Sequence, residues 1–90
     1  MTIHGARKRQ YSNLRSKKRQ DLIEVIRDST NVIDELADRK MQGHTHIGDR
    51  EIDEWLTEFW AFIFEAETKL NIKYDDELGY IDYPTDIWNK

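Results

Sequence analysis

The sequence predicts an all-α protein built on an antiparallel pair of helices. Three observations predict it. Apolar residues recur in steps of three and four at Leu22, Ile23, Ile26, Ile33, Leu36 and Ala37, with Val25 and Val32 beside them. The same spacing returns at Ile52, Trp55, Leu56, Phe59, Phe62, Ile63, Ala66 and Leu70, and this is the period of a helix face rather than of a strand. Between the two segments lies GHTHIG at 43–48, bracketed by glycines, a loop short enough to return the second helix alongside the first.

Residues 1–12 are expected to form a loosely structured basic arm on a single domain of 90 residues. The first helix is expected to start between Ser12 and Ser16, either of which caps well, and to run to about Met41 before Gly43 ends it. Asp49 is the expected N-cap of the second helix. Glu51, Asp53 and Glu54 then place negative charge at its positive end, and the helix should stop near Asn71.

That second helix carries more apolar surface than one neighbour covers. At about 100° per residue, Ile52, Phe59, Ile63 and Leu70 form one line, Phe62 and Trp55 flank it, and Trp60 and Phe64 lie well round on the other side. The arc is roughly 200° wide, against the ~100° stripe of one packing face. Trp55, Phe59, Trp60 and Phe64 are therefore read as interface residues, covered by the tail at 74–90 or by another copy. The tail holds Tyr74, Leu78, Tyr80, Ile81, Tyr83, Ile87 and Trp88, aromatic enough to pack rather than to dangle. Gly79 and Pro84 break it, so a turn of helix near Asp75–Leu78 followed by extended chain over Trp60 and Phe64 is expected, with Trp88 part of the interface. A chain this small buries only roughly 60–65% of its unfolded surface, so a homo-oligomer is expected.

Charge is split along the chain. Residues 7–20 read RKRQYSNLRSKKRQ, and residues 1–20 contain no acid. All 18 acidic side chains fall in the remainder, and the whole nets −4. Three readings of the basic block arise. It is a nucleic-acid arm in which Lys and Arg meet phosphates and Tyr11 stacks on a base. It pairs with the acidic surface of another subunit. Or it forms a phosphate pocket for a small nucleotide, with Tyr11 as platform and guanidinium groups as clamps.

The remaining candidates are thinner. His44 and His46 sit two apart in the loop, but zinc wants three or four ligands, so no metal is expected. The chain has no cysteine, no glycine-rich phosphate loop and no helical His-Glu-x-x-His, so neither catalysis nor a cofactor is expected. Glu65 and Glu67 read as solvated charges, with Glu65 able to approach Arg27 if register allows. Ser29 and Thr30 interrupt the apolar line between Ile26 and Ile33. Hydroxyls there either bond the preceding turn or, beside Arg27, open a polar gap for a ligand. With no apolar segment after the basic start and no membrane-length run, a soluble, cytoplasmic protein is expected.

The order Tyr11-x-x-Leu14, then Leu22-Ile23-x-x-Ile26-Arg27 and a hydroxyl at Ser29 or Thr30, resembles the start of the phage anti-CBASS cyclic-nucleotide sponges. Asp49-Arg50 at the opening of the second helix and the aromatic Phe64 extend the likeness over roughly residues 11–70. Arg27 stands where that family usually has Lys, and the tail is additional. The resemblance implies a small helical oligomer that sequesters cyclic nucleotides without chemistry, with Tyr11 stacking on a base and Arg27, Ser29 and Thr30 holding phosphate or ribose. Read from the residues alone, two other functions compete with it: a small inhibitor or adaptor that binds a host protein through its acidic and aromatic surface, and nucleic-acid binding by the basic arm.

Overall fold

A computed structural model describes residues 3–16, 18–77 and 79–81. The order is α1 (Ile3–Ser16), α2 (Arg19–Met41), β1 (His46–Ile47), β2 (Arg50–Glu51), α3 (Ile52–Lys69), β3 (Lys73–Asp75) and β4 (Gly79–Ile81). The protein is mostly helical, as the periodicity predicts. It has three helices among the described residues rather than two, and two short antiparallel ribbons, β1–β2 and β3–β4.

The basic arm is the first correction. It is helix α1, and it belongs to the core. Ile3, Ala6, Gln10 and Leu14 are buried along one side, at steps of three and four that define a helix face. The cations occupy the other positions, where lysine and arginine keep their charged ends in water. No helix starts at Ser12 or Ser16. Instead α1 ends at Ser16 and α2 begins after Lys18, which sits in extended backbone as N-cap without a side-chain cap. The Ser16 hydroxyl occupies the joint: it accepts from the Lys18 amide, and its one hydrogen lies within reach of two acceptors, the Asn13 carbonyl and the Asp21 carboxylate. A Lys69 ammonium reaches from α3 to the Leu14 carbonyl at 2.6 Å, satisfying an acceptor that the last turn of α1 leaves open.

Both longer helices close with the same backbone device. In α2, His44 N–H bonds the Arg39 carbonyl and Gly43 N–H bonds the Lys40 carbonyl, each at 3.1 Å. In α3, Ile72 N–H bonds Glu67 and Asn71 N–H bonds Thr68. These crossed pairs are Schellman caps, which require one residue in the left-handed region. Gly43 (φ 93°) and Asn71 (φ 61°) supply it. The N-cap of α3 is Glu51, not Asp49. Asp49 is spent in the turn of the β1–β2 ribbon, whose register pairs His46 with Glu51 and Ile47 with Arg50.

The core runs between all three helices. Leu22, Val25, Ile26, Val32 and Leu36 of α2 meet Ile52, Trp55, Phe59, Phe62 and Ala66 of α3, with Ile3, Ala6 and Leu14 of α1 closing one side. Trp55 and Phe59, expected at an interface, are fully buried in this core. Glu67, expected in solvent, is also buried. Where a helical turn is expected to open, Asp75 is instead in a strand, with Tyr74 opposite Tyr80 and Asp75 opposite Gly79, and Leu78 lies outside the described residues. Gly79 at φ 78° supplies the backbone that lets the chain return. The expected packing of the tail beyond Ile81, Trp88 included, lies outside the described residues.

One polar pair is fully enclosed. Gln10 Nε2 donates to Ser29 Oγ at 3.1 Å, both residues are wholly buried, and Gln10 Oε1 has no partner. An unpaired acceptor in a core costs free energy that an apolar replacement avoids. Ser29→Ala alone should therefore lower stability by about 1–2 kcal/mol, because it strands the Gln10 amide. Gln10→Met with Ser29→Ala should recover that loss. Urea unfolding of the three proteins checks it, and a double variant weaker than Ser29→Ala would contradict the pairing.

Candidate functional site

The sequence-predicted site residues do not share one face. Tyr11 stands on α1 and is 45% exposed. Ser29 faces inward from α2 onto Gln10. Thr30 donates to the Ile26 carbonyl at 2.8 Å, the bond to the preceding turn. At about 100° per residue, Arg27 lies roughly 160° round α2 from Ser29, and it is partly buried. Tyr11 therefore shares no common face with Arg27, Ser29 and Thr30 as a set.

What Tyr11 does share is an open groove along α1, lined by Arg7, Lys8, Tyr11, Ser12, Arg15 and Ser16, with a volume of about 700 Å³. These positions are successive turns of one side of the helix. Lys8 and Arg15 carry no ion pair among the described residues, and two turns of helix, about 10.5 Å, separate them. Two cations, an aromatic ring and the Ser12 hydroxyl thus lie along one open strip, groups of the kind that can meet an anion.

The groove is held in place by a carboxylate that the sequence reading missed. Glu58 Oε1 accepts from Arg7 Nε at 2.7 Å and from the Tyr11 hydroxyl at 2.9 Å. Its Oε2 accepts from Arg50 at 2.7 Å. Arg50 also lies over Trp55, 4.2 Å from the ring centre, and Arg7 lies over the Tyr11 ring at 5.5 Å. The Tyr11 ring meets Phe62 edge-on at 5.0 Å. Burial pushes the Glu58 carboxyl up, but hydrogen bonds from Arg50, Arg7 and Tyr11 outweigh it and hold the group below the usual carboxylate range. The same bonds raise the Arg7 and Arg50 guanidinium groups. Part of this cluster had a signal in the sequence: Arg50, Glu54 and Glu58 are spaced by four across the start of α3, and Arg50, in β2 just before the helix, bridges to both acids.

His44 and His46 line a second hollow of about 410 Å³ with Lys40, Thr45, Glu51 and Asp53. No group of three or more metal-binding side chains occurs among the described residues. Glu65 pairs with Lys69 at 3.5 Å. No helix of the described residues is long and apolar enough to cross a membrane. No family model, curated protein or solved structure matches the chain.

Proposed function

We propose that this is a non-enzymatic binding protein that sequesters a phosphate-bearing nucleotide in the α1 groove. The observation that carries the reading is the placement of Lys8 and Arg15, unpaired among the described residues, on either side of Tyr11 and Ser12 in one open groove. A ligand with two phosphates, such as a cyclic dinucleotide, suits two flexible cationic side chains rooted two helical turns apart along one groove. Lys8 meets a phosphate as a point charge, and Arg15 grips one with two parallel N–H donors. Tyr11, 45% exposed, offers a base the part of its ring that Arg7 and Phe62 leave open, while its hydroxyl stays anchored on Glu58. Arg7 has its Nε committed to Glu58 and adds positive potential at the groove's edge.

Native mass spectrometry against cyclic di- and trinucleotides tests the proposal. The expected result is a mass gain of one ligand per groove, lost in Lys8→Glu with Arg15→Glu. That pair should weaken binding by at least about tenfold per charge removed and leave the melting temperature within a few degrees, since exposed ion-pair changes cost little. Arg27→Ala should leave affinity unchanged. No mass gain with any nucleotide, or equal affinity after both reversals, would remove the assignment.

A further inference from the structure

The outer face of α3 has a property that the nucleotide reading does not use. Thr57, Trp60, Ala61, Phe64 and Thr68 follow one another along it, all exposed and all uncharged. Trp60 and Phe64 are 46% and 57% exposed, and their rings stack on each other, 6.2 Å apart and 29° from parallel. The two threonines offer no free hydroxyl. Thr57 donates to the Asp53 carbonyl at 2.9 Å and Thr68 to the Phe64 carbonyl at 2.8 Å, so neither hydroxyl hydrogen is left for a partner. The carboxylates that border the strip are each paired within the chain: Asp53 with Lys40 at 2.6 Å, Glu54 with Arg50 at 3.5 Å and Glu65 with Lys69 at 3.5 Å. The result is a charge-free apolar strip three turns long on a protein whose acids outnumber its bases beyond residue 20.

We propose that this strip is a weak self-association surface on which α3 of a second copy packs antiparallel about a two-fold axis. Charge decides the occupant. A partner recognised by electrostatics would gain little here, because the strip has no charge and the acids at its border are each paired within the chain. A second copy would meet like-charge repulsion across most of the acidic body, and this strip is where that repulsion is absent. The spacing fits a two-fold contact: with the axis between residues 60 and 64, Trp60 meets the partner's Phe64 and Phe64 meets the partner's Trp60. Ala61 near the centre permits close approach. The strip is about 18 Å long and 10 Å wide at helix dimensions, a footprint of roughly 180 Å² per copy, about a quarter of the ~800 Å² per partner of a standard stable interface. The association should therefore be half complete only near about 10⁻⁴ M, well short of the tight complexes that larger interfaces give.

Sedimentation equilibrium of the full chain from about 10 μM to 1 mM, a range bracketing that midpoint, tests the surface without any nucleotide. The average mass should climb from the 10.8 kDa monomer toward twice that value. Trp60→Lys and Phe64→Glu should each remain monomeric throughout while melting as the wild type does. Mixed one to one, the two variants should associate again, since the new cation on one chain then faces the new carboxylate on the other. A wild type that stays monomeric at 1 mM, with the strip left to some other protein, would overturn the proposal. So would variants that dimerise as the wild type does, or a mixture that fails to recover. Lys8→Glu with Arg15→Glu should leave self-association intact, so loss of the nucleotide reading and loss of this one are separable.

Discussion

Trp55→Ala should cost about 4 kcal/mol, as expected for removing a large aromatic from a closed core. The side chain is fully buried and contributes in three ways at once. Its ring fills the space beside Phe59, 6.3 Å away, and carries the edge of His4 at 5.2 Å. Its indole N–H donates to the Ile47 carbonyl at 3.2 Å, tying α3 to the β1–β2 ribbon. Its face supports the Arg50 guanidinium. A domain of this size has about 5–13 kcal/mol of stability in all, so the melting temperature should fall by about 15–30 °C. Thermal unfolding followed by circular dichroism checks it. The reading of Trp55 as an interface residue makes the opposite forecast, in which the variant melts normally and only association changes.

Glu58→Gln should give the second-largest loss, about 2 kcal/mol after allowance for the solvent exposure of the arginine partners. The amide keeps the shape but loses the charge that three donors converge on. It also leaves Arg7 and Arg50 near each other with no anion between them, a repulsion already felt by Arg50. The pH dependence follows from the direction of the shift. The folded carboxyl titrates below its ordinary value of 4.5, so the stabilisation is complete above that pH and is lost as pH falls through the folded value. The gap in unfolding free energy between wild type and variant should stay constant from pH 7 to about 5 and close below the ordinary carboxyl range. Urea titrations at several pH values measure it, and a gap that widens in acid would contradict the depressed carboxyl.

The two long helices were legible because their apolar residues repeat without interruption and Gly43 punctuates them. Helix α1 carried the same signal in fainter form. Ile3, Ala6, Gln10 and Leu14 mark its buried side, but one of the four is polar and seven cations crowd the surrounding sequence, so charge masked periodicity. Gln10 only reads as a core residue once Ser29 is placed against it. The β3–β4 ribbon was illegible because three-residue strands leave too little alternation to count, and Asp75–Leu78 has ordinary helix-start composition. In the groove, Tyr11 and the cations were visible as types but not as a surface. Their common side depends on α1 being helical. Glu58 was only half legible: the spacing of Arg50, Glu54 and Glu58 is local, but its other partners, Arg7 and Tyr11, stand 51 and 47 residues earlier, and no local pattern carries such a pairing.

The seating of α1 also bears on how the positive charge can be dissected. Trimming basic residues from the front of a chain is the ordinary way to ask whether they act as a tail. Here a cut through residue 10 would carry away Ile3, Ala6 and Gln10 from the interior, withdraw one of Glu58's cations and uncover the rings around Trp55. Such a truncation would report a collapsed protein whatever the cations contact. The charge has to be examined in place, one exchanged side chain at a time, on a chain that keeps its first helix.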